Sequence, residues 1–215
     1  MTNDFKYIIM CGGKYDKWET PKQLTMVKGE PLVARTIRML REQGVEDIAI
    51  STNQPGFEDF GVPVLKHDNE YRLGQVDAYG HWLNAFYPTK DPVCYLFGDV
   101  VFSRYAIDRI VGTEVEDIMF FASAPPFDMK YTKIWAEPFA YKVVDTERFF
   151  DAIERTKKYD SEGCFYRMAV SWELWQVIKR TPLNRIDYEN YVAINDYTCD
   201  IDSPEDLQKM LRWIE

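Results

Sequence analysis

Cys11-Gly12-Gly13-Lys14-Tyr15-Asp16-Lys17-Trp18-Glu19-Thr20-Pro21-Lys22-Gln23-Leu24 decides the fold. The run before it, Phe5-Lys6-Tyr7-Ile8-Ile9-Met10, is short, β-rich and apolar, and the paired glycines stop it; this is a buried strand ending in a tight loop. Beyond the loop, Val33, Thr36, Ile37 and Leu40 recur at helical spacing, with Pro31 at the start and Gly44 just past the end. Strand, Gly loop and helix follow in that order. Two glycines at a strand end bring bare N–H groups close to an anion, and Lys17 and Lys22 add charge. An ordinary Gly turn before a solvated loop satisfies the same pattern. Neither G-x-x-x-x-G-K-[ST] nor G-x-G-x-x-G is present.

Working outward, Glu46 to Thr52 and Val62 to Lys66 read as strands, and Val76, Tyr79, Gly80 and Leu83 as a second helical stripe. Val93 to Phe97 is a continuous apolar run, the mark of a strand buried on both faces. Asp117 to Ser123, Phe139 to Val144 and Tyr191 to Ile194 are further strands. Thr146 to Lys158, Tyr166 to Arg180 and Ser203 to Ile214 are amphipathic helices. Alternating strands and helices predict an α/β chain: a Rossmann-like three-layer α/β/α sandwich on a mostly parallel sheet, with ligands at the carboxyl ends of the strands. The 215 residues are read as a single domain, with a nucleotide-binding half to residue 112, an acceptor-binding half over 113–199 and a closing segment over 200–215.

Composition narrows the function. With 26 Lys and Arg against 35 Asp and Glu, the net charge of −9 excludes a general nucleic-acid or anionic-membrane binder, which needs a cationic face. Cys11, Cys94, Cys164 and Cys199 form no zinc spacing, and three of them sit in or beside apolar runs, as in a reducing compartment. No apolar stretch is long enough to span a membrane and no export signal is evident, so the expected location is cytoplasmic.

Gly12-Gly13, Lys17, Pro21-Lys22-Gln23-Leu24 and Gly29-Glu30-Pro31-Leu32 together resemble the signature of the nucleotidyltransferases with a GT-A-type fold. That superfamily includes sugar-phosphate nucleotidyltransferases, small cytidylyltransferases and molybdenum-cofactor guanylyltransferases. Its members usually read Gly-Gly-x-Gly-x-Arg; here Tyr15 replaces the third glycine and Lys17 the arginine, which keeps the charge but loses the planar fork. The resemblance implies catalytic roles for Lys22 and Lys17, and nucleotide contacts from Cys11, Gly12, Gly13, Lys14, Lys17 and Lys22.

Asp99 directly follows the buried strand in Gly98-Asp99-Val100, where a carboxylate either binds local N–H groups or holds a metal. The resemblance favours Mg²⁺ at Asp99, completed by Asp202 or, second, Asp200. Asp206 is accounted for as a capping residue behind Ser203 and Pro204. Gly74, Gln75 and Asp77 either border the base and ribose or cap a helix. Lys130, Lys133 and Glu137, with Tyr131 and Trp135, form either an acceptor pocket for a phosphate and a polyol or the arm of a homodimer. Trp82, Trp172 and Trp175 read as packing residues.

The implied reaction moves an NMP from an NTP, with CTP favoured, to a sugar phosphate or other small phosphorylated alcohol. Such products feed cell-surface glycan or polymer synthesis. A catalytically silent nucleotide-binding relative and a glycosyltransferase of the same fold are the competing readings.

Overall fold

The computed structural model describes residues 5–12, 18–67, 78–127 and 135–214, with 78–81 described in backbone only. The calls on Gly13, Lys14, Lys17, Gly74, Gln75, Asp77, Lys130 and Lys133 lie outside the described residues.

In chain order the elements are β1 (Lys6–Met10), a 3₁₀ turn over Lys22–Leu24, β2 (Met26–Val27), β3 (Glu30–Pro31), α1 (Leu32–Glu42), β4 (Ile48–Thr52) and β5 (Val64–Lys66). After a 3₁₀ helix over Ala78–Ala85 come β6 (Val93–Phe97), β7 (Val100–Val101), α2 (Arg104–Gly112), β8 (Ile118–Ala122) and β9 (Pro138–Val143). The chain closes with α3 (Thr146–Ser161), α4 (Ser171–Lys179), β10 (Val192–Ala193), β11 (Cys199–Asp200) and α5 (Pro204–Met210).

Seven strands form one sheet in the order β5-β4-β1-β6-β9-β8-β10. β1 is parallel to β4 and β6, β4 to β5 and β8 to β10; only β9 runs against its neighbours. From β1 the chain moves outward to β4 and β5, then returns to lay β6 on the other side of β1. That reversal is a topological switch point, the place where open α/β sheets leave a crevice at the carboxyl ends of the strands.

The apolar runs are continuous because helices cover both faces. Ile9, Cys11, Cys94 and Leu96 join one core with Val33 and Ile37 of α1 and Ile107 of α2. Ile8, Met10, Val93 and Tyr95 join a second with Phe149 of α3 and Trp172 of α4. This alternation is the period of two expected of strands between layers. A third, smaller core joins Val27, Leu32 and Val101 to Ile201 and to Leu207 and Met210 of α5, and so fixes the chain's end over the switch point.

Three sequence expectations change. The stripe at Tyr79, Gly80 and Leu83 is a 3₁₀ helix over Ala78–Ala85 rather than an α-helix. α4 begins at Ser171, not Tyr166, because the Glu173 side chain turns back to accept the Val170 N–H at 2.9 Å. α5 ends at Met210, short of Ile214, although Met210 and Ile214 share the same small core.

Candidate active site

The crevice is built from β1 and β6 upward. At the end of β1 the Cys11 N–H donates to Ser51 O at 2.7 Å, and Thr52 Oγ1 donates to Cys11 O at 2.8 Å. Both bonds fix the backbone where Gly12 begins. A Cβ on Gly12 would lie 3.0 Å from the His67 ring, so glycine lets this backbone pass close to the imidazole. At the end of β6, Gly98 N–H donates to Met10 O at 3.0 Å. A Cβ there would fall 2.4 Å from Met10 O and 2.8 Å from Cys11 Sγ, which no substitution can accommodate without moving the backbone. Gly98 therefore sets the separation of the two strand ends and aims the next residue, Asp99, into the crevice.

Lys22 comes from the opposite side, on the 3₁₀ turn that follows Pro21. Its Nζ lies 2.7 Å from Asp99 Oδ2 and 3.5 Å from Asp202 Oδ1. Asp202 reaches this position because β11 pairs with β7 antiparallel and the Ile201 N–H donates to Asp99 O at 3.0 Å. Three residues far apart in sequence thus meet at the switch point.

Electrostatics hold the group together. Burial works against the charge on Lys22, but Asp99, which also hydrogen-bonds it, together with Asp202 and Asp200 outweighs that penalty and holds its pKa above the ordinary lysine value. Burial pushes the Asp200 pKa well up, and Glu137, Asp99 and Asp202 push it further, with Lys22 opposing. Asp200 N–H donates to Glu137 Oε2 at 3.3 Å, and Cys199 Sγ stands 3.9 Å from Asp200 Oδ1. One ligand atom from each of Glu137, Cys199 and Asp200 lies within 4.8 Å of the others. The Cys11 thiol is fully buried and its pKa is raised, by burial first and by Asp99 second, and its backbone N–H is already given to Ser51 O.

These groups open onto a cleft of about 700 Å³ lined by Gly12, Asp99, Glu137, Asp200 and Asp202 among others. Sequence reasoning missed Gln23, Arg167 and Cys199 as lining residues; the 3₁₀ turn brings Gln23 there, the β7–β11 pairing brings Cys199, and Arg167 comes from the segment before α4, held by Glu173. Trp172 is buried as expected, yet it lines the cleft with the half-buried Trp82 and the exposed Trp135. Asp206 accepts from Ser203 Oγ at 2.7 Å, consistent with capping, and also lines the cleft.

Residues 7–164 match the MobA-like NTP transferase domain. The chain belongs to that family. It is thus an NTP-dependent nucleotidyltransferase, and the matched span contains Lys22, Asp99 and Glu137, while Asp200 and Asp202 lie beyond it.

Among solved structures, the chain resembles UDP-glucose pyrophosphorylase from Acinetobacter baumanii (TM-score 0.59, 14% identity, covering 96% of this chain and 92% of that one). It also resembles HddC from Yersinia pseudotuberculosis (0.54, 16%, 97% and 99%). CTP:phosphocholine cytidylyltransferase from Streptococcus pneumoniae gives 0.51 at 15% identity, covering 98% and 99%. At these identities the likeness establishes the fold. No curated protein matches the sequence. Among the described residues, no helix is long and apolar enough to cross a membrane.

Proposed function

We propose that this chain transfers a nucleoside monophosphate, with CTP the favoured donor, to a small phosphorylated alcohol or sugar phosphate, as a step toward a surface-glycan or polymer precursor. The observation that carries this reading is Lys22 lodged between Asp99 and Asp202 at the switch point of the sheet. A phosphate oxygen of the acceptor bonds to the α-phosphorus of the NTP, the bond from that phosphorus to the bridging oxygen breaks, and pyrophosphate leaves with the electron pair.

The chain's contribution is placement and charge. Gly12 offers backbone to the triphosphate without a side chain in the way. Lys22, kept protonated by its carboxylates, neutralises charge on the reacting phosphates. Asp99 and Asp202 already hold one cation between them, and two carboxylates are the hard oxygen donors that suit Mg²⁺. Mg²⁺ bound there would supply further charge neutralisation to the triphosphate. Glu137 belongs to the acceptor side, within the proposed second half of the single domain.

Pyrophosphate release measured for the four NTPs against a panel of phosphorylated acceptors tests the reading. It requires one NTP and one acceptor together. Nucleotide binding without release under every pairing would favour the catalytically silent relative.

A further inference from the structure

Past Asp99 the cleft wall turns aromatic and acidic. Trp82, Phe97, Trp135 and Trp172 line it. The indole N–H of Trp82 donates to Ala169 O at 3.1 Å and that of Trp172 to Ala136 O at 3.3 Å. Their only donors are thereby engaged, and what they present to the cleft is carbon and π-surface. Trp135, at 70% exposure, stands at the rim.

Among the described residues, five carboxylates line this cleft against two cations, Arg167 and Lys209. Arg167 is held by the buried Glu173 at 2.7 Å and Lys209 by Asp206 at 3.5 Å. Among the described residues, the charged groups acting on Asp200 are the carboxylates of Glu137, Asp99 and Asp202 and one cation, Lys22, which lies at hydrogen-bonding distance from Asp99. An independent feature points the same way: Gln23, 1% exposed, lines the cleft, and its buried Oε1 has no partner among the described residues. A buried acceptor without a donor is costly, and a ligand bearing positive charge or N–H groups relieves it.

Resting on the transferase reading above, we infer that the acceptor is a phosphomonoester whose alcohol carries a cationic nitrogen. Its phosphate faces Lys22, and its ammonium lies against the tryptophans beside Asp200. Aromatic faces with nearby carboxylates recognise ammonium groups by cation–π and Coulomb attraction, whereas a neutral polyol needs an even supply of donors and acceptors.

The test is calorimetric binding, in the presence of each NTP as its α,β-methylene analogue, of phosphocholine, phosphoethanolamine, glucose 1-phosphate and 3,3-dimethylbutyl phosphate, the uncharged carbon isostere of phosphocholine. One of the two cationic ligands is expected to bind at least about tenfold tighter than the isostere and the sugar phosphate. Asp200→Asn and Trp135→Ala should each shrink that ratio, and Trp135 is exposed enough for its removal to leave the fold intact. Equal or tighter binding of the isostere or of glucose 1-phosphate overturns the inference. Pyrophosphate release with authentic NTPs is read separately: cation-selective binding without release contradicts the transferase chemistry and leaves the recognition standing, and release with sugar phosphates alone does the reverse.

Discussion

Lys22 is the residue on which the proposed chemistry depends most. Its side chain is 13% exposed and its ammonium is neutralised by Asp99 at 2.7 Å and Asp202 at 3.5 Å, so the charge is both preformed and shielded from water. Lys22→Ala is expected to lower the pyrophosphate-release rate by about 10²-fold or more, with an unchanged circular dichroism spectrum, because a positioned charge is worth several kcal/mol in a transition state. Asp99→Asn should fall in the same range. Gly98 is structural in a different way. Gly98→Ala would place a methyl 2.4 Å from Met10 O, and backbone cannot yield as a flexible side chain does. A loss of about 1–3 kcal/mol in urea unfolding is expected, and a midpoint unchanged from the parent would show that β6 can slide from β1. Of these residues, Lys22 and Asp99 stand out as site candidates from their motifs. The contact between them is not visible in the sequence, because they are far apart along the chain and only the switch point brings them together.

At the scale of elements, strands were read best. β1, β4 and β6 are apolar on both faces because α1 and α2 cover one side and α3 and α4 the other, so the pattern in sequence is simple. The two-residue strands β7 and β11 left no such pattern, yet they carry Asp200 and place Asp202. Helix ends were less legible, since they depend on single caps. For α5, Ser203 Oγ accepts the Asp206 N–H at 3.3 Å and donates to its carboxylate; Ser203→Ala should cost about 1 kcal/mol in thermal unfolding. Lys142, on β9, shows how an element can be closed from outside. Its buried Nζ donates to the carbonyls of Ile110, Val111 and Thr113 at 3.2, 2.9 and 2.8 Å and so caps α2. Burial lowers its pKa, with Cys94 opposing, so the unfolded chain binds the proton more tightly than the folded one. Stability contributed by this site therefore rises as pH climbs from the lowered folded value toward the ordinary lysine value. Lys142→Met strands three carbonyls and should destabilise by about 2 kcal/mol near neutrality. The deficit relative to the parent should widen as pH approaches the ordinary lysine value, which denaturant titrations at several pH values will read.

The whole molecule follows a general rule for open α/β sheets: the ligand crevice lies where the strand order reverses. Here the reversal is between β1 and β6, and it gathers Gly12, Lys22, Asp99 and Asp202 from four segments of the chain. The layered architecture was legible because local patterns encode it. The aromatic and acidic side of the cleft was legible only in part: Glu137 and Asp200 stood out as acceptor and metal candidates, but Trp82 and Trp172 read as packing residues, and no local pattern shows that these separate elements meet at one cleft. The central claim is nucleotidyl transfer at this crevice, and pyrophosphate release in the presence of Mg²⁺, over all pairings of the four NTPs with cationic and sugar phosphomonoesters, tests it most directly. Release that depends on one NTP and one acceptor, and that Lys22→Ala removes, is the expected result; release unaffected by Lys22→Ala, or none with any pairing, would contradict it.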